Sequence, residues 1–180
     1  MDVNTNLKIK GEITARFYDQ SKLNLFQKLW NRFVVLANLN KKRWYILGDL
    51  VREEQKKNVI CISGLNVLAR RLASDNTYSG NINKMALGTG TGNFNGTETQ
   101  LYNEVYRNNV ASYTSQDNIA YVSAYFTETE ITGNFTEFGN FIDGSSNANT
   151  GKLWTHVSVS WSKSNTETLV VDCKYTLTSA

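Results

Sequence analysis

The chain has 180 residues, enough for one domain with a sizeable core and short for two. Its composition, 41% hydrophobic and 12% aromatic, excludes a disordered chain, and its 19% of charged residues lies below the roughly 25% of an average soluble protein. The net charge of +3 divides unevenly: residues 1–75 carry 14 Lys and Arg against 7 Asp and Glu, whereas residues 76–180 carry 5 against 9. This predicts a dipolar surface that can meet copies of itself or neighbours, while the scattering of the basic residues argues against nucleic acid as a partner. No apolar run approaches the ~20 residues of a membrane helix, and "MDVNTNLKIK" lacks an apolar signal-peptide core, which predicts a protein made in the cytoplasm with no membrane partner.

The first element is "LKIKGEITARFYD", where Ile9, Gly11, Ile13, Ala15 and Phe17 alternate with polar residues as in a half-buried strand. In "SKLNLFQKLWNRFVVLANLNKK" the period changes, with Leu23, Phe26, Trp30, Phe33, Val34 and Ala37 at helical spacing and Ser21 placed as a cap. "RWYILGD" and "KNVICIS" read as two short strands joined by the exposed "REEQKK". "SGLNVLARRLASDN" returns to a helix through Leu65, Leu68, Ala69 and Leu72, capped by Ser63.

Beyond residue 82 the period is mostly two. Ala120, Val122, Ala124 and Phe126 share one face; so do Leu153, Thr155, Val157, Val159 and Trp161, and again Leu169, Val171, Cys173, Tyr175 and Leu177. The polar stretches "TGNFTEFGN" and "DGSSNANTGK" between them read as turns. Cys61 and Cys173 fall within apolar stretches, as buried reduced thiols do.

The stretch "MALGTGTGNFNGTETQLYNE", residues 85–104, has the outline of a phosphate loop, glycine-rich and followed by Thr97 and Gln100 as a capping box before a helix "LYNEVYR". It has no Lys or Arg between Lys84 and Arg107, and Asn93 stands where the third glycine of a dinucleotide loop belongs. A plain connecting loop is the better reading. His156, the one histidine, lies on the polar side of its strand and is expected at the surface. Asp143 opens an oxygen-rich loop with too few carboxylates for calcium. Glu128 and Glu130 are expected on a solvated face rather than as a glycosidase pair. No catalytic, cofactor or metal site is assigned.

Taken in order, "KNVICISGLNVLARRLAS", "MALGTGTGNFNGTETQLYNEVYR", "YVSAYFTETEITGNFTEFGNF" and "GKLWTHVSVSWSKSNTETLVVDCKYTLTS" resemble the β-sandwich structural proteins of tailed-bacteriophage virions. Their pattern is a strand leading through a glycine into an apolar helix, then an apolar Gly-Thr-Gly-Thr loop, a helix with Leu, Glu and Arg spaced as Leu101, Glu104 and Arg107, a Thr-Glu-x-Gly-x-Phe turn and two closing strands. The resemblance implies a building block of tail-fibre, tail-tip or head-decoration type that acts by assembly, made in the host cytoplasm and located in the virion, with other virion proteins and further copies of itself as partners. Glu104 and Arg107 then read as an ion pair on a short helix, and Glu137 and Gly139 as turn residues.

The expectation is therefore a mainly β, antiparallel β-sandwich with two or three short helices, forming a single domain over 1–180. Its core is 7–19 and 58–180, with a helical and strand insertion over 20–57, one helix lying near 21–40. The insertion departs from the family and is the part expected to adapt the module to its neighbour. Trp30, Phe33, Trp44 and Tyr45 are the expected aromatic contacts and Lys41, Lys42 and Arg43 the expected basic ones. The alternative is a host-surface carbohydrate-binding module, with a host glycan as partner.

Overall fold

The structure, a computed structural model, describes residues 7–179. In chain order the elements are β1 (Leu7–Asp19), α1 (Leu25–Leu36), α2 (Lys41–Trp44), β2 (Asp49–Ile60), α3 (Ile62–Leu72), β3 (Ile82–Gly88), β4 (Glu104–Gln116), β5 (Ile119–Phe126), β6 (Gly133–Ile142), β7 (Lys152–Lys163) and β8 (Glu167–Ser179). All strand pairs are antiparallel, and the strands close into a barrel in the order β1-β2-β7-β6-β3-β4-β5-β8. No helix among the described residues is long and apolar enough to cross a membrane.

The barrel corrects the expected sandwich. Both architectures give each strand one inward face and hence the same period-two pattern, so alternation cannot separate them. The difference lies in one long-range junction, where Val59 and Ile60 at the end of β2 pair with His156 and Thr155 on β7. β2 is a barrel strand, so within residues 20–57 only the connection between Asp19 and Asp49 lies outside the barrel strands.

The inward rows match the sequence pattern. Ile13, Ala15 and Phe17 of β1, Val122, Ala124 and Phe126 of β5, Val157, Val159 and Trp161 of β7, and Leu169, Val171, Cys173 and Tyr175 of β8 are all buried in one cluster. Phe17 and Phe138 both pack on Trp161, at ring separations of 6.4 and 5.4 Å. Leu153 departs from the expected row: a register shift between Asn140 and Phe141 sends it to a second cluster with Cys61, Ala86, Leu101 and Phe141, and Trp154 takes the inward position. The barrel is plugged at one end by α3, whose Val67 joins the main cluster. At the opposite end α1 and α2 link β1 to β2.

Several local expectations give way for identifiable reasons. "TGNFTEFGN" lies largely within β6, where Glu137 faces a covered outer wall and Asn140 faces the barrel interior, bonded to Thr155 and Tyr175, while Asn134 is exposed. "REEQKK" is the middle of β2, and the residues before it form α2 and an extended linker instead of a strand. Helix α1 begins at Asn24, which forms a capping box with Gln27, and Ser21 instead donates to Asp19. Ser63 lies inside α3 and donates from Oγ to the Leu153 carbonyl at 2.6 Å, while Cys61 holds the N-cap position.

Both cysteines are free and buried, as expected. Burial pushes each thiol up to about 12, the Glu98 charge adding to the effect at Cys61. At pH 8 neither forms the attacking thiolate in the folded protein. A chromogenic disulfide reagent is therefore expected to leave Cys173 unmodified in the native protein and to titrate two thiols in denaturant; prompt native labelling of Cys173 would contradict the packing described.

Candidate functional site

Helix α1 carries an apolar stripe. Leu25, Phe26, Leu29, Trp30, Phe33 and Leu36 fall within an arc of about 140° at 3.6 residues per turn. An amphipathic helix ordinarily turns such a stripe to the core. Here the buried positions are Asn31 and Val34, and the stripe faces outward, with Phe26 81% and Leu36 77% exposed. Of the residues expected as aromatic contacts, Trp30 and Phe33 are exposed within the stripe and Trp44 is exposed beside it. Trp30 packs on Phe33 and Trp44 at ring separations of 5.8 and 6.2 Å and donates from its indole nitrogen to the Trp44 carbonyl at 2.8 Å, while Arg43 stacks on Trp44. Lys42 and Arg43 are exposed at the same end.

The outward orientation is enforced by polar contacts. Asn31 donates to the Ile46 carbonyl at 2.7 Å and accepts from the Ile46 amide at 2.8 Å, closing a ring that a buried apolar side chain could not make. Lys41 pairs with Glu130, which also accepts from the Thr127 amide and from Asn108. The Tyr45 hydroxyl donates to Glu128, and burial, with Glu128 close by, pushes that hydroxyl well above its usual range. Two expectations change here. Glu128 and Glu130 occupy the β5–β6 connection as anchors for α2 instead of a solvated strand face. Tyr45 is buried, and Lys41 is largely so, which removes both from the contact surface.

A second polar centre lies on the outer wall of β6 and β7. The 89–103 segment leaves β3, crosses this wall far enough for the Gly96 carbonyl to accept from the Ile62 amide, and returns to β4. Beneath it the Glu137 carboxylate accepts from the backbone amides of Gly90, Tyr102 and Asn103 at 2.9, 2.9 and 2.7 Å and from His156 Nε2 at 2.8 Å. The glycine stretch is a connecting loop, as expected, and it also helps to form an anion cradle, which was not the expected reading; the anion is a side chain of the same protein. Glycine is required at two positions: a Cβ on Gly90 would stand 2.5 Å from Glu137 Oε1, and one on Gly88 would stand 2.7 Å from the Asn103 carbonyl.

Neither His156 nor Glu137 is exposed, which corrects the surface and turn placements. His156 does lie on the outward side of its strand, as alternation predicts; the rings of Phe94 and Tyr102, 4.2 and 5.5 Å away, cover it. Burial alone would raise the Glu137 pKa, but the bonds from His156, Asn103, Tyr102 and Gly90 outweigh it and hold the carboxyl below its usual range.

Glu104 and Arg107 do form the expected ion pair, on a strand instead of a helix. A bulge between Leu87 and Gly88 pairs Gly88 with Glu104 and Leu87 with Tyr106, so two residues that would face opposite sides of a regular strand share its outer face. Arg107 reaches on to the carbonyls of Ser145 and Thr150, fixing the Asp143 loop as a hairpin connection. Among the described residues no group of three His, Cys, Asp or Glu side chains could hold a metal.

The dipolar reading is qualified by the structure, because five of the nine acidic residues of 76–180 are engaged by partners. Glu104, Glu128, Glu130, Glu137 and Asp172 are all bound to Arg107, Tyr45, Lys41, His156 and Arg16 respectively. What the protein presents around α1 and α2 is an apolar stripe bordered by cations. No protein-family model, curated protein or solved structure matches the chain.

Proposed function

We propose that the protein is a non-enzymatic structural component of a tailed-bacteriophage virion, a barrel that attaches a fibre, tail or decoration part to the particle through the outward stripe of α1 and the adjoining Trp44. One observation carries the attachment surface: six large apolar side chains on one helix face water while polar bonds hold the helix in that orientation. A free monomer gains nothing from such a face, and exposed apolar patches of this kind mark sites that a neighbour covers. The virion setting rests on the ordered sequence resemblance. The enclosure of His156 and the binding of Glu128 and Glu130 in anchoring contacts favour assembly over chemistry.

The test is mass spectrometry of purified particles of the virus that encodes the chain. The expected result is a fixed copy number per particle, lost on Phe26→Asp/Phe33→Asp, with the melting temperature of the purified variant close to that of the parent because both side chains are exposed. Finding the parent protein in the infected cell but never in particles would overturn the proposal. Charge reversal at Lys42 and Arg43 is the companion test; Lys41 is left out because its reversal would oppose Glu130.

A further inference from the structure

The junction that closes the barrel is short. On one side β2 pairs with β1 from Asn58 to Asp49, whereas on the other only Val59 and Ile60 reach β7. From Asp49 to Asn58 the second edge of β2 has no strand partner among the described residues. Arg52 crosses the opening with one nitrogen to the Ser162 carbonyl at 2.6 Å. The register with β1 places Arg52, Glu54 and Lys56 on the same side as Phe17, Ala15 and Ile13, so this stretch contributes charge where the other strands contribute core.

Charges on a free edge commonly deter unwanted pairing. In β2 they are also ordered, as Glu53, Glu54, Gln55, Lys56 and Lys57. An antiparallel copy centred on Gln55 would place Glu54 opposite Lys56 and Glu53 opposite Lys57, twice over by symmetry. A slip of one residue in one direction sets Arg52 against Lys57; a slip of two sets Glu54 against Glu54 or Lys56 against Lys56. Parallel pairing in register sets every charge against its like. The Gln55-centred antiparallel register thus makes four opposite-charge pairs and no like pair, whereas a one-residue slip in either direction keeps only two.

A second observation concerns the ends of the same segment. Both amide atoms of Asn58 are buried without a hydrogen-bond partner, and Arg52 Nε, 3.4 Å from Glu54 Oε1, makes no hydrogen bond. The Gln55-centred register brings Arg52 of each copy opposite Asn58 of the other. We infer that the free edge of β2 is a self-association site, at which two copies of the chain join antiparallel strands from Arg52 to Asn58 about a twofold axis at Gln55. This surface is separate from the α1 stripe and gives the proposed building block an isologous contact of its own.

The experiment is light scattering coupled to size exclusion on the full chain at low salt, with Glu53→Lys/Glu54→Lys and Lys56→Glu/Lys57→Glu as separate variants. The wild type is expected at twice the 20.3 kDa chain mass. Each variant is expected to dissociate at least about tenfold more readily, and an equimolar mixture of the two to regain the dimer, since all four charge pairs are then restored. Should either variant misfold, Gln55→Cys serves instead: opposed Cβ atoms about 4.5–5.5 Å apart are expected to give a covalent dimer on mild oxidation. A wild type monomeric at about 100 µM, variants that keep its mass, or a mixture that stays monomeric would overturn the inference. A monomer that is nevertheless incorporated into particles would do so while leaving the α1 proposal standing.

Discussion

Glu137→Ala is expected to cost about 3–5 kcal/mol of stability, because it leaves three backbone amides and the His156 ring nitrogen buried without their common acceptor. The loss should fall unevenly. The 89–103 segment, held to the wall through that carboxylate, is expected to open while the barrel strands persist, so the amides of Gly90, Tyr102 and Asn103 should lose hydrogen-exchange protection before those of β8. Glu137→Gln keeps the shape and one acceptor, and a smaller loss of about 1.5–3 kcal/mol is expected.

The pH dependence follows from the same bonds. The folded-state pKa of Glu137 lies below the ordinary 4.5, so its contribution is fully present above that value and is lost as pH falls through the depressed folded value. The stability gap between wild type and Glu137→Gln is therefore expected to narrow on acidification from 4.5 downward and to be flat above it. Urea unfolding followed by tryptophan fluorescence at several pH values measures both effects. Equal stability of Glu137→Ala and wild type at neutral pH would mean that the cradle does not hold the segment.

Arg107→Met is the second substitution with a large expected effect. It would leave the Glu104 side chain, 1% exposed, with an unpaired charge, and would release the carbonyls of Ser145 and Thr150. A loss of about 3–5 kcal/mol is expected. Glu104→Gln/Arg107→Met should lose much less than the two single substitutions together, because the double variant removes the stranded charge and Met can still cover Phe141, on which Arg107 now lies. A double-mutant cycle in urea provides the number, and simple additivity would rule out the coupling.

These two pairs also show what could be read from the sequence. The inward rows of β1, β5, β7 and β8 were legible because apolar residues hold every second position along them, even where the outer face of β5, β7 or β8 is also buried. Glu104 and Arg107 were legible as a pair but not as a strand, since a one-residue bulge imitates the spacing of a helical turn. β6 was missed for the opposite reason: Glu137 is buried under the covered outer wall and Asn140 is buried inside the barrel against Tyr175, so both are as buried as Phe138 and the alternation that marks a half-exposed strand disappears. The glycines of 88–92 were read as a plain connecting loop because no cation accompanies them, and only the fold could show that Glu137, some 45 residues on, brings a carboxylate to the Gly90 amide. In α1 the apolar period was correctly read as a helix, but periodicity carries no sign of which face turns inward; Asn31 decided that through a backbone contact no local pattern encodes.

The pairing of β1 with β8 along its full length sets a timetable for the nascent chain. Ile13 meets Cys173, 160 positions later, so at about 5–20 residues per second β1 waits roughly 8–32 s on the ribosome for its partner. During that interval β2 can already line one side of β1, while the side that β8 will take stays open, as does the facing side of β5. Synthesis thus passes through an incomplete sheet with a gap one strand wide. The eighth strand of the barrel fills it from both sides at once, which makes β8 the keystone of the barrel and its arrival the step that closes this gap.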